Sequence, residues 1–243
     1  MWIGFITLFP ELIEAGMSKG VIGRAGDAGL VQTKVYNPRD FTRDKHRTVD
    51  DRPYGGGAGM VMLYEPLRDA IAAARRDSPA DSPVVMLSPQ GVRFTQVVAE
   101  SNQGVPGFIF LCGRYEGIDQ RALENLVDFE WSIGDFVLSG GEIPALAMAD
   151  ALIRLIPGVL GNSLSTIDES FLDDQLDYPH YTRPEHIDDF SVPEVLLSGD
   201  HRRISEYRRR GALTKTYARR PDLMIQKVFS VEQRKLLQET LLT

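Results

Sequence analysis

Apolar positions over the first 160 residues of the chain fall into two rhythms that alternate. Short runs at residues 2–8, 30–36, 83–87, 107–112 and 128–133 have the length and side-chain types of strands. Between them, residues 10–20, 64–76, 93–103, 118–126 and Ile143 to Ile156 repeat their apolar positions at helical spacing. Strand alternating with helix predicts an α/β fold on a mostly parallel sheet. From Gly158 to about Phe190 the rhythm fades. Eight acids (Asp168, Glu169, Asp173, Asp174, Asp177, Glu185, Asp188 and Asp189) crowd a stretch that also holds Pro179 and Pro184. Such a stretch has too little apolar surface to offset the cost of ordering its backbone, and reads as a linker. After Pro193 the helical rhythm returns through Val195, Leu196, Leu197, Ile204 and Tyr207. It continues from Leu223 to Phe229, then into a helix with Ser230 as its N-cap and Glu232 and Gln233 in its first turn. The expected organisation is an α/β domain at 1–160, a linker at 161–190 and a small all-helical domain at 191–243.

Three of the apolar runs end in glycine-bearing turns: Ser88-Pro89-Gln90-Gly91, Cys112-Gly113-Arg114-Tyr115-Glu116-Gly117, and Gly134 after Ile133. Glycine lets backbone groups approach a ligand where a side chain would otherwise stand, and the carboxyl edge of a parallel sheet is where α/β proteins bind small molecules. A ligand shelf is expected there.

Composition narrows the picture. With 243 residues, 43% apolar and 25% charged, the chain can bury a sizeable core and shows no low-complexity bias. The single cysteine, Cys112, has no internal disulfide partner and ends an apolar run as a small hydrophobe, which suits a reducing compartment. Residues 1–9 are apolar but carry no basic leader and stop at Pro10-Glu11, so they read as a first strand rather than a signal peptide. Asp150 and Arg154 interrupt the best candidate for the ~18–20 apolar residues a membrane span needs. A cytoplasmic protein without a membrane partner is expected. The four histidines (His46, His180, His186, His201) lack helical pairing, so no metal site is expected.

A net charge of −7 speaks against a polyanion partner until its distribution is considered. Residues 201–220 hold eight bases, Arg202, Arg203, Arg208, Arg209, Arg210, Lys215, Arg219 and Arg220, against the single acid Glu206. That asymmetry is the footprint of a polyanion-binding face, the alternative being a solvated helix face.

Two further segments carry candidate chemistry. Val49-Asp50-Asp51-Arg52-Pro53-Tyr54-Gly55-Gly56-Gly57-Ala58-Gly59-Met60 lacks both the P-loop ending and the dinucleotide-turn spacing. It is either a mobile loop or a cover that orders over a polar substrate. The segment from Glu130 to Ala145 is more specific: Gly140-Gly141 permits a tight turn, Pro144 suits the first turn of a following helix, and an extended Ile133 to Leu138 offers backbone groups between apolar side chains. That suits a flat heteroaromatic ring better than a phosphate.

Taken in order, Arg52-Pro53-Tyr54-Gly55-Gly56-Gly57, Leu87-Ser88-Pro89-Gln90-Gly91, Gly113-Arg114-Tyr115-Glu116-Gly117, Trp131-Ser132-Ile133-Gly134-Asp135, Leu138-Ser139-Gly140-Gly141-Glu142 and Pro179-His180-Tyr181-Thr182-Arg183-Pro184 closely resemble the bacterial tRNA (guanine-37-N1)-methyltransferase family, the TrmD type within the SPOUT superfamily. The resemblance covers essentially the whole chain. It implies a deep trefoil knot in the later half of the α/β domain, an exception to the rule that chains avoid knots. It also implies S-adenosylmethionine bound bent against the knot, and a homodimer whose active site draws on both subunits. By this likeness Leu87, Ser88, Pro89, Gln90, Gly91, Gly113, Tyr115, Glu116, Ser132, Ile133, Gly134, Asp135, Phe136, Val137, Leu138, Gly140, Gly141 and Pro144 line the cofactor pocket. For the apolar members, Phe136 and Leu138 above all, plain core packing is the competing reading. The likeness also leaves a role for Mg²⁺ open.

The expected reaction sets its own requirements. N1 of guanine carries a proton at neutral pH, so methyl transfer needs a base to take it and a donor to stabilise charge moving onto O6. Arg154, in the otherwise hydrophobic turn Leu152, Ile153, Leu155, Ile156, is the expected O6 donor by the resemblance, with a structural ion pair as the alternative. The family's base stands in an Asp-Ser-Phe pattern, and the matching residues here are Glu169-Ser170-Phe171, preceded by Asp168. Alignment on Ser170-Phe171 makes Glu169 the base, and a slip of one residue would pass the role to Asp168. Asp50, Arg52, Gly59 and Glu116 are expected to hold the target guanosine, with Asp177, His180 and Arg183 shaping the linker around it. Arg202, Arg203, Arg208, Arg209 and Arg210 are expected to grip the tRNA stem through phosphates. Two rivals remain: a SPOUT enzyme for another RNA base or a ribose, and a non-catalytic RNA-binding protein on the same fold.

Overall fold

Strands β1 (Trp2–Ile6), β2 (Gln32–Tyr36), β5 (Val84–Arg93), β6 (Gly107–Cys112) and β7 (Phe129–Ser132) form one sheet in the order β2-β1-β6-β5-β7, with every neighbouring pair parallel. The computed structural model describes residues 1–161, 169–171, 174–225, 229–230 and 233–234. They divide between two units, Met1–Gly161 and Asn162–Thr243.

In the first unit, β1 and β6 are buried along their whole length, as central strands of a sheet covered on both faces are. Alternation sorts their side chains. Ile3, Phe5, Phe108 and Phe110 face one core, which is closed by α1 (Pro10–Met17), α2 (Gly20–Asp27), α4 (Gln96–Ser101) and α6 (Glu142–Arg154). Trp2, Ile6, Ile109 and Leu111 face the other, closed by α3 (Tyr64–Asp77) and α5 (Gln120–Leu126). Cys112 is fully buried at the end of β6, and burial, reinforced by the nearby Glu142 charge, pushes its thiol well above the ordinary range. Among the described residues no helix is long and apolar enough to cross a membrane.

Three departures from the sequence reading have local causes. The helix expected at 10–20 ends at Met17, and Gly20, at φ +67°, turns the chain into the unexpected α2. The strand expected to end at Leu87 continues to Arg93: Ser88 to Gly91 form an irregularity, and Val92 and Arg93 resume pairing with Trp131 and Ser132. The helix expected from residue 93 consequently begins only at Gln96, where the Thr95 hydroxyl accepts from the Val98 N–H as N-cap. A two-residue pair, β3 (Asp50–Asp51) with β4 (Val61–Met62), also frames the glycine loop.

The second unit holds the hairpin β8 (His186–Ile187) and β9 (Phe190–Ser191), the short α7 (Glu194–Leu197) and the long α8 (His201–Arg219), followed by a 3-10 turn at Pro221–Met224. Leu213 and Met224, with Phe229 against them, are its small apolar core. The hairpin starts inside the stretch expected to be a plain linker. At the expected N-cap, Ser230 Oγ accepts from the Gln233 N–H at 3.1 Å while Gln233 Oε1 accepts from the Ser230 N–H at 2.9 Å, a capping box. Glu232 and the remainder of the expected helix, beyond Arg234, lie outside the described residues.

Candidate active site

The carboxyl ends of β5, β6 and β7 enclose a cavity of about 380 Å³, within the range of small-molecule sites. Its walls are the three glycine-bearing segments. Leu87, Ser88, Pro89 and Gln90 come from the first, Gly113, Tyr115 and Glu116 from the second, and Ser132, Ile133, Gly134, Phe136, Val137, Leu138, Gly140, Gly141 and Pro144 from the third. Two residues expected there stand outside the lining. Gly91 is used for close packing within the sheet, since a Cβ on it would stand 2.5 Å from the Trp131 backbone nitrogen. Asp135 is largely exposed and pairs with Arg93 at 2.6 Å.

The third wall is anchored through its glycines. Gly141 donates its N–H to the Gly113 carbonyl at 3.0 Å, and an added Cβ would meet Cys112 Cα at 2.7 Å. Backbone cannot yield there as a side-chain end can. The variant Gly141→Ala is expected to cost about 1–3 kcal/mol of stability through overpacking, read as a lower urea midpoint. An unchanged midpoint would mean that the turn shifts freely.

Sequence reasoning missed Arg114, which lines the cavity and ties its walls together. Its guanidinium meets Glu142 Oε2 through Nε at 3.0 Å and Nη2 at 2.8 Å, donates through Nη1 to the Ser139 carbonyl at 3.1 Å, and lies over the Phe9 ring. Glu142 is only 1% exposed and accepts a second bond from Thr7 Oγ1 at 2.6 Å. The pair joins the ends of β6 and β1 to the start of α6. Twenty-eight residues separate its members, so no local pattern announces it.

The Asp50 loop sits at the same sheet edge. Met62 N–H donates to the Gly117 carbonyl and Glu116 N–H to the Met60 carbonyl, each at 3.0 Å. Gly59, at φ +81°, lies so close to Glu116 that a Cβ would overlap its side chain. Tyr115, itself at φ +62°, stands beside Asp50 and Arg39. Burial, then the Asp50 charge, pushes its phenol above the ordinary range. The structure thus brings Asp50 and Gly59 against Tyr115 and Glu116 of the cavity wall, while Arg52 is exposed on the loop.

Arg154 is the last residue of α6, whose first turn contributes Pro144 to the cavity. Thirteen residues of helix, about 20 Å at the α-helical rise, carry it away from that end, and it does not line the cavity. In the second unit, Arg202, Arg203, Arg208, Arg209 and Arg210 are all exposed on α8. The Arg208 guanidinium lies over the Tyr178 ring. His180 Nε2 is 2.6 Å from Asp177 Oδ2, and Asp177 Oδ1 is buried with no hydrogen bond among the described residues. Arg183 is exposed. Glu169 is described; Asp168 lies outside the described residues. Among the described residues no group of three or more His, Cys, Asp or Glu side chains could hold a metal ion.

The lining fits S-adenosylmethionine better than a phosphate-rich cofactor. It offers backbone donors and acceptors, apolar faces from Leu87, Ile133 and Leu138, and the carboxylates of Glu116 and Glu130 for a cationic group.

Residues 1–226 match the family described as tRNA (Guanine-1)-methyltransferase TrmD. The chain is 53% identical over 240 residues to a protein of Psychromonas ingrahamii named tRNA (guanine-N(1)-)-methyltransferase, covering 98% of this chain and 97% of that one. Proteins of the same name from Shewanella halifaxensis and Methylococcus capsulatus are 52% and 53% identical, over 98% of this chain and 96% and 95% of theirs.

Proposed function

Because the chain belongs to the TrmD family of tRNA (guanine-1)-methyltransferases, we propose that it methylates N1 of the guanosine at position 37 of tRNA, next to the anticodon, with S-adenosylmethionine as donor. The observation that carries this reading is the glycine-walled cavity at the carboxyl edge of the sheet, with the Asp50 loop pinned beside it.

When bound, S-adenosylmethionine supplies a methyl group made electrophilic by its sulfonium. The protein's task is orientation and proton management. The backbone of residues 133–141 and the turn at Gly113 hold the donor, and Asp50, Arg52, Gly59 and Glu116 hold the target guanosine. The linker carboxylate, Glu169 with Asp168 as the alternative, takes the N1 proton. Arg154 neutralises charge on O6. Its distance along α6 from its own chain's cavity favours an active site assembled by a homodimer, in which the second subunit brings Arg154 to the donor. The family likeness adds a trefoil knot to this reading, and two observations support it: β7 is the edge strand beyond β5, and the chain after it returns to dock the Gly141 N–H on the Gly113 carbonyl after β6. A tRNA substrate places the enzyme in the cytoplasm.

Incubation with radiolabelled S-adenosylmethionine and paired transcripts, with and without guanosine at position 37, tests the reading. Label is expected only in the first. Label in both would point to another base or a ribose, and label in neither to a non-catalytic RNA-binding protein. The exposed arginines of α8 add a second expectation. Five phosphate contacts to a tRNA stem give a slope of log K against log salt of about −3.5 to −4.5, so a binding isotherm flat between low and moderate salt would remove them from the interface.

A further inference from the structure

The two halves of α8 are built differently. The first carries the exposed arginines, whereas the second turns polar groups inward. Thr216 is fully buried, although threonine is a poor helix former. Its hydroxyl donates to the Ala212 carbonyl at 2.7 Å, the usual resort of a mid-helix threonine, and leaves a lone pair over. That lone pair accepts the Leu176 N–H at 2.8 Å. One residue away, Lys215 Nζ donates to the Asp177 carbonyl at 2.9 Å. A turn earlier, Gly211 lets the helix come close to the linker, since a Cβ there would stand 3.0 Å from Pro179 Cδ. The linker passes the constraint on. Asp177 N–H donates to Ser170 Oγ at 3.0 Å, and Phe171 N–H to the Gln175 carbonyl at 2.6 Å. Ser170 adjoins Glu169.

We infer that Thr216 is a positioning residue for the linker carboxylate, so that the arginine-bearing helix and the base-bearing segment move as one piece; the inference rests on the base role proposed above. Phosphates gripped by α8 then place the base, and tRNA binding energy is spent on orienting the reacting groups. Thr216 touches no reacting atom in this scheme.

The isostere Thr216→Val, which lacks the hydroxyl, is expected to slow single-turnover methyl transfer about tenfold to a hundredfold at saturating tRNA and donor. Its tRNA Kd should stay within about threefold, and Thr216→Ser, which restores the hydroxyl, should recover the rate. Combined with whichever of Glu169→Gln and Asp168→Asn abolishes proton transfer, Thr216→Val should add no further slowing, because both act on one step. A Thr216→Val enzyme as fast as the parent, beside a slow linker-acid variant, overturns the inference and leaves the base reading intact. So does a loss of tRNA affinity in step with the rate, or a double variant slowed by the full product, either of which makes Thr216 a support for the fold alone. If neither linker-acid variant slows transfer, the base reading falls and the inference with it.

Discussion

Glu169→Gln is expected to bind tRNA and donor as the parent does, yet to transfer methyl in a single turnover about 10²–10⁴-fold more slowly. The substitution preserves shape and removes only the ability to accept a proton. Guanine N1 cannot attack an electrophile while it keeps its hydrogen, and no neutral amide relieves it of that. Glutamate brings one more methylene than the aspartate of the resembling pattern, and a reference pKa only ~0.4 higher. With that extra reach it meets the same proton if Ser170 and Phe171 sit slightly further back. Rapid-quench measurement on Glu169→Gln and Asp168→Asn side by side is the check. Loss confined to Asp168→Asn would hand the role to the neighbour, and a full rate in both would remove the linker from the proton's path.

Arg114→Met is expected to be the most destabilising single change at the cavity. Glu142 is 1% exposed, and without the guanidinium its carboxylate keeps, among the described residues, only the Thr7 hydroxyl as a hydrogen-bond partner. Stranding a buried charge in this way costs about 3–5 kcal/mol, a large share of the roughly 5–15 kcal/mol that holds a domain folded. The Ser139 carbonyl loses its donor at the same time, which loosens the wall between Leu138 and Gly141. Urea unfolding should show the midpoint falling. The double variant Arg114→Met/Glu142→Leu should regain much of the loss, because an apolar pair of similar volume often replaces a buried ion pair without penalty. Equal midpoints for the parent and Arg114→Met would mean that the pair contributes little.

Much of the first unit was legible because a parallel sheet writes itself as apolar runs. β1, β6 and the first half of β5 are buried on both sides, and their boundaries follow the hydrophobicity. The glycine turns were legible for a related reason: close backbone approach excludes a Cβ whether the neighbour is ligand or protein. That same ambiguity misplaced Gly91, whose neighbour is the Trp131 backbone. Helix α2 was missed because three of its eight residues are glycine, a composition that normally argues against a helix, and packing against α6 overrides it. Ser88 to Gly91 reads as a turn by every local rule, yet its chain resumes pairing with β7. Arg114 with Glu142 and Thr216 with Leu176 join residues far apart in the chain, where no periodicity reports on contact.

The interleaved order β2-β1-β6-β5-β7 has a kinetic corollary. No hairpin can nucleate such a sheet, since each neighbouring strand arrives only after a long intervening stretch has been made, and pairings of that kind raise contact order and slow the search. The three segments around the cavity meet only when the last of these pairings closes. A fluorescent donor analogue that becomes bright on capture should therefore lag behind the regain of circular dichroism during refolding, as a clock for the final step.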